Sequence, residues 1–239
     1  TNTIGKFIKL TKVFIKTAYE RGLTDNNDFM KDEFRAISEE VQTIYLTEKE
    51  IQKLYKLNLS YYSRLDTVRD LFIIGCYTGL RFGDLQQLRK DHFKENTLHI
   101  TTQKTQKKVV IPLHWMVKEI MRKYDYTLPR VISNQKMNQY VKELGYLAKI
   151  DEKVIITQSL GGLRYDKEYS KYELITIHTA RRSFATNMFL NDIPTLAIMK
   201  ITGHRTEKSF LKYIKVSEDE NAEKLLLHPF FQSKMSIGG

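Results

Sequence analysis

Cysteine is almost absent: Cys76 is the only one in 239 residues. A lone thiol closes no internal disulfide, so a reducing cytoplasm is the expected setting. Backbone breakers are also scarce, with 11 glycines and 4 prolines. That scarcity argues against a turn-rich all-β fold and for substantial helix. The longest apolar run, residues 71–77, falls far short of the roughly 20 residues of a membrane span. Lysines at positions 6, 9, 12 and 16 interrupt any signal-peptide core. Paired cysteines, an HExxH motif and a close Cys/His cluster are all missing, so no metal site is expected. Neither GxxxxGK[ST] nor GxGxxG occurs, and no cofactor is expected. Internal repeats and low-complexity segments are missing too.

What is plentiful is positive charge. Lys and Arg total 39 against 28 Asp and Glu, a formal balance of +11. Residues 1–45 hold seven of each sign, so the whole excess lies in residues 46–239. A surplus of this kind suits a polyanion, because neutralised phosphates release condensed counterions. Charge alone is a weak pointer, since lysine-rich faces are often only solvated. The hydrophobic share of 41% supports a core and excludes global disorder. The chain opens on Thr1, as expected of a piece of a longer protein.

Residues 3–20 read as an amphipathic helix. Ile4, Phe7, Ile8, Phe14, Ile15 and Ala18 share one arc, with Lys9, Lys12 and Lys16 opposite as a candidate DNA-facing side. A polar, acidic stretch to Glu40 follows and reads as a linker. One helix plus a linker is not a domain, and it reads as the last helix of one. From Leu46 the pattern is continuous. Thr47 with Glu50 forms a capping box that opens a helix over 48–58. Further helices are expected at 65–77, 82–88, 114–123, 134–148, 178–190, 194–201, 206–213 and 217–226. The helix at 65–77 carries Val68, Leu71, Phe72 and Cys76 on one face. Strands at 97–102 and 107–112 flank Lys104-Thr105-Gln106 as a hairpin, and 153–158 with 168–176 suggest a second around Gly161-Gly162. The fold class is mainly α with small antiparallel β hairpins.

Several polar residues stand out, and each alone has an ordinary explanation. Arg81, in TGLRFGDL at 78–85, could cap a helix or pair with Asp84. A lysine at a hairpin tip, as at Lys104, is usually solvated. His178 and Arg181 share a helix face at i, i+3. His204 after Gly203 could meet helix-terminal carbonyls. Tyr213 is one of 14 tyrosines, most of which pack.

Read in order, they carry more. TGLRFGDL, then Lys104 with IPL at 111–113, HTARRSFAT at 178–186, ITGHR at 201–205 and Tyr213 nine residues beyond His204 together resemble the tyrosine recombinase, or phage integrase, family. The stretch ITGHRTEKSFLKYIK is similar to that of integrases from phages and transposons of the Bacteroidetes. The resemblance implies that fold, with its catalytic domain over 46–239 and residues 1–45 as the end of a core-binding domain plus linker. It implies Tyr213 as nucleophile, Arg81 and Arg181 as a phosphate clamp, and Lys104 as general acid. His178 would assist proton transfer at the tyrosine, and His204 would donate to the phosphate. Asp84 takes the family's acidic position, more often Glu, and would orient its neighbours. Lys107, Lys108, Arg182 and Arg205 are further DNA-contact candidates. The implied partners are double-stranded DNA attachment sites, other copies as a homo-tetramer on DNA with a monomer free in solution, and accessory DNA-bending proteins. A topoisomerase of type IB and a DNA-binding module with a degenerate site are the alternatives.

The chemistry explains the residue types. Transfer of a phosphodiester builds negative charge on its oxygens, which planar guanidinium forks match. A phenol, ordinarily titrating near 10, must lose its proton as it attacks phosphorus. Ester replaces ester, so neither ATP nor a metal ion is expected. Leu225, Leu226, Leu227, Phe230 and Phe231 form an apolar tail, expected to pack on its own domain or to dock on a neighbouring protomer.

Overall fold

The computed structural model describes residues 2–232 apart from 37, 40, 130, 131, 161, 162 and 228. Two compact units emerge, one of residues 1–42 with 155–168 and one of residues 43–154 with 169–239.

In the first unit, α1 (Asn2–Glu20) forms where the 3.6-residue period placed it. Its apolar stripe stays open: Phe7 is 62% and Phe14 74% exposed, and only Gly5 is buried. Two single 3-10 turns follow, Asp28–Met30 and Asp32–Phe34. Phe29 is buried edge-on to Tyr19. Asn2 exchanges two hydrogen bonds with the backbone of Glu39, and Thr157 N donates to the Gln42 side chain.

The second unit begins with the expected capping box at Thr47, whose partner Glu50 closes it at 2.7 Å. It starts α2 (Glu48–Tyr55), followed by α3 (Ser63–Thr78) and the single-turn α4 (Phe82–Leu85). Next come β1 (Phe93–Lys94), β2 (Thr97–Thr101) and β3 (Lys108–Pro112), an antiparallel sheet in that order. Leu98, Ile100, Val109 and Ile111 point into the core, as the two-residue period requires. Helices α5 (Trp115–Lys123) and α6 (Asn134–Leu147) lead to β4 (Lys153–Leu160), which pairs with β5 (Leu163–Ser170), a hairpin whose residues 155–168 belong to the first unit. The expected turn at Gly161-Gly162 lies outside the described residues. Then follow α7 (Ile177–Leu190), α8 (Thr195–Thr202), α9 (Glu207–Leu211), α10 (Glu218–Leu226) and α11 (Pro229–Gln232).

The sequence pattern gave α3 one buried face, whereas the structure buries it all round. Leu65, Val68, Leu71, Phe72, Ile73 and Ile74 are each at most 5% exposed, with α2, α5, α6 and α7 packed about the helix. Its buried charges are paired: Arg69 binds Asp66 and Asp70, and Lys123 reaches Asp70 at 2.6 Å. Residues 171–174, expected as strand, form a 3-10 turn instead. There Lys171 is buried, and it is held at 2.9 Å by Glu50 and at 3.0 Å by Glu152. That ion pairing fixes a turn which strand propensity could not foresee.

On α10, Glu220 closes a capping box with Ser217 and accepts the Tyr45 hydroxyl. Lys224 bridges Asp192 at 2.7 Å and the Phe189 carbonyl at 2.9 Å. The helix is therefore fastened to its own unit at both ends. Leu226 at its end and Leu227, Phe230 and Phe231 beyond it are exposed.

Candidate active site

Arg81 is placed by a helix stop. Gly79 ends α3 at φ +64°, where a Cβ would lie 2.4 Å from the Phe184 ring, so both conformation and space demand glycine. Arg81 then caps α4, half-buried, with Nη1 sealed from solvent and unpartnered among the described residues.

Lys104 sits exposed on the β2–β3 loop. The loop is pinned internally by Thr102 Oγ1 to Thr105 Oγ1 at 2.7 Å and by Thr102 N to Lys107 O at 2.9 Å. Externally, Asp84 Oδ1 accepts the Gln103 N–H at 2.8 Å. The anticipated pairing of Asp84 with Arg81 does not form. The carboxylate supports the lysine loop, and its Oδ2 is buried without a partner. A Cβ on Gly203 would meet Thr105 Oγ1 at 3.4 Å, so the loop also lies against the end of α8.

The first turns of α7 bring His178, Arg181 and Arg182. Arg181 is 2% exposed, and its two Nη atoms donate to the carbonyls of Gly79 and Thr202. These bonds tie the ends of α3 and α8 to α7 and leave Nε–H buried without an acceptor. Burial, then the like charge of Arg81, pushes the Arg181 guanidinium down to about 10, opposed by Tyr213 and Asp84. Burial likewise holds the Arg182 guanidinium below its ordinary value, opposed by Tyr213. His178 is exposed to solvent. Crowding by protein and then Arg182, Arg181, Arg81 and Lys104 hold it below its ordinary value. One ring thus senses four cations drawn from three separate segments.

His204 follows the glycine C-cap of α8. Burial and then Arg181 and Arg81 push it down to about 4. Its Nδ1 lies 2.8 Å from Thr202 Oγ1, whose own hydrogen goes to Ile198 O at 2.8 Å. With the threonine hydrogen kept on Ile198 O, the imidazole hydrogen would reside on Nδ1 and leave Nε2 of the neutral ring bare.

Tyr213 was expected inside a helix over 206–213, but α9 ends at Leu211 and the tyrosine follows it in irregular chain. Its ring centroid is 4.6 Å from that of His204, and the Arg181 guanidinium carbon is 5.7 Å from it.

Arg81, Lys104, His178, Arg181, Arg182, His204 and Tyr213 are thus gathered in one unit. Lys107, Lys108 and Arg205 lie beside them with His204 along an open groove of about 560 Å³. Lys200 lines the same groove, and sequence reading passed it over because one lysine on a helix carries no signal. Lys9, Lys12 and Lys16 belong to the other unit, where Lys16 pairs with Glu20 at 3.6 Å and Lys12 lies over Phe34.

Residues 44–220 match the phage integrase family. The chain belongs to that family. Among solved structures, this phage integrase family member is similar to a lambda integrase dimer bound to a COC′ core site. The TM-score is 0.63 at 19% identity, over 87% of this chain and 71% of that one. It is also similar to the Tn1549 transposon integrase in complex with circular intermediate DNA (TM-score 0.61, 15% identity, 92% and 77% covered). XerA recombinase gives a TM-score of 0.55 at 17% identity, with 91% and 74% covered. These likenesses establish the fold, that of tyrosine recombinase catalytic domains. Comparison with curated protein sequences returns no match. Among the described residues no helix is long and apolar enough to cross a membrane, and no three His, Cys, Asp or Glu side chains converge as metal ligands.

Proposed function

We propose that this chain cuts and rejoins double-stranded DNA at specific attachment sites through a 3′-phosphotyrosyl intermediate on Tyr213. The observation that carries this reading is the packing of Arg181 and His204 against the Tyr213 ring, with the charges of Arg81, Arg181 and Lys104 all felt at His178 and with guanidinium N–H groups that have no acceptor. A buried donor left unpaired costs about 1–3 kcal/mol, and a phosphate oxygen removes that cost.

With the scissile phosphate held by Arg81 and Arg181, the Tyr213 oxygen attacks phosphorus. The bond to the 5′ oxygen breaks, and that oxygen takes a proton from Lys104. The phenol proton passes to His178, whose lowered basicity leaves it neutral and able to accept. The phosphate's charge favours protonation of His204, so that Nε2 gains the hydrogen it donates. Attack by another strand's 5′-hydroxyl reverses these steps and completes transfer.

In this reading residues 1–45 close a core-binding domain and 46–239 form the catalytic domain. A homo-tetramer on DNA is the working assembly, and the solved lambda integrase tetramer bound to a Holliday junction is a parallel from the same fold. Chain polarity tests the chemistry. A nicked suicide duplex should yield a protein-linked 3′ end and a free 5′-hydroxyl that polynucleotide kinase labels directly. A protein-linked 5′ end would reject the scheme. Plasmid relaxation without strand exchange would instead favour topoisomerase action.

A further inference from the structure

The nucleophile lies in a turn, where Tyr213 N donates to Phe210 O at 2.7 Å and Ile214 N to Leu211 O at 3.1 Å. Residues 212–216 follow α9 and belong to neither helix nor strand. Phe210 anchors one side, fully buried among Phe184, Ala185, Ile198 and Met199. Beyond it, the backbone of Tyr213 and Lys215 meets one side chain on α7. Thr186 Oγ1 donates to Tyr213 O at 3.3 Å and accepts from Lys215 N at 3.2 Å. Thr186 is fully buried and stands four residues after Arg182, on the same face of α7. Its hydroxyl therefore bonds the nucleophile's own carbonyl and the N–H of the next peptide, from the helix that presents Arg181.

We propose that Thr186 is a positioning residue for Tyr213: its hydroxyl fixes the nucleophile segment against the helix that bears Arg181. The inference rests on the proposed role of Tyr213. Thr186 touches neither DNA nor the reacting atoms. It acts on the distance and angle of attack, where a displacement of about 1 Å can cost about 10²-fold in rate.

Thr186→Val keeps the shape and removes both bonds, Thr186→Ala removes them without crowding, and Thr186→Ser retains the hydroxyl. The probe is a nicked suicide duplex selected from a randomised pool by adduct formation with the unsubstituted chain. Single-turnover adduct formation should fall about 10²-fold in the Val and Ala variants and return to within about threefold in Ser. Non-covalent affinity for the same duplex, measured in a Tyr213→Phe background, should stay within about threefold for all three. Should Val not fold, the Ala and Ser pair decides. Near-normal cleavage by Ala, a Ser variant as slow as Ala, or loss of affinity in step with rate would each overturn the proposal. A Tyr213→Phe chain that still forms adducts would instead reject the nucleophile assignment, whatever Thr186 does.

Discussion

Lys104 shows how much a single residue owes to its setting. Its side chain has the ordinary exposure of a hairpin lysine, but Asp84, Thr105 and Gly203 fix the loop that carries it. If it protonates the leaving oxygen, Lys104→Ala should cleave ordinary DNA at least about 10²-fold more slowly. A substrate with sulfur at the 5′-bridging position, which leaves without a proton, should restore the rate. Equal impairment on both substrates would move the acid role to Lys107 or Lys108. His204 gives a second prediction, in stability. Held near 4 in the fold, it takes up a proton near 6.5 in the unfolded chain. Between those values the unfolded state binds more protons, so stability should fall as pH drops from about 6.5 to about 4. Melting temperature against pH reads this slope, and His204→Gln should flatten part of it; an unchanged slope would assign it to other groups. The residue types and their spacing were legible in the sequence, because ordered motifs survive without a structure. The hydroxyls of Thr202 and Thr186 were not. Thr186 meets a segment 27 to 29 positions away, Thr202 meets a carbonyl one turn back and a ring two residues on, and a threonine within a helix has no signature of its own.

At the scale of elements, local rules read well where local physics decides. The capping box at Thr47 and the period of β2 and β3 were visible, since each depends on residues three or two apart. Two-residue β1 was not, because it exists only by pairing with β2. Nor was the early end of α9, which frees Tyr213 from helical geometry. The hold on α10 is equally non-local. Tyr45 and Glu220 stand 175 positions apart, and burial with the nearby carboxylates of Glu220, Glu50 and Glu152 pushes the Tyr45 phenol up, keeping it a donor. Tyr45→Phe deletes one partly buried hydrogen bond and should cost about 1–2 kcal/mol. In a domain of this size that is a fall of roughly 2–8 °C in Tm, readable by calorimetry. An unchanged Tm would mean that this bond does not hold α10.

The whole molecule is basic, and its charge is distributed with a purpose the site explains. Lys107, Lys108, Lys200 and Arg205 line a groove together with His204. If a DNA backbone follows that groove, Lys200→Gln should weaken binding on every sequence alike. It should also reduce the slope of log K against log salt by about one. An unaltered slope would place the duplex elsewhere. Net charge was legible in the sequence, while the groove that gathers part of it was not, because only packing brings β3 beside α8. Every step of the proposed reaction finally depends on one atom, the phenolic oxygen of Tyr213. The most direct measurement is to trap the chain on a nicked suicide duplex, digest the adduct and locate the DNA-linked residue by mass spectrometry, beside Tyr213→Phe. The account predicts a nucleotide on Tyr213 and no adduct from the variant, with its fold and DNA affinity retained. A nucleotide on any other residue, or an adduct from the variant, would contradict it.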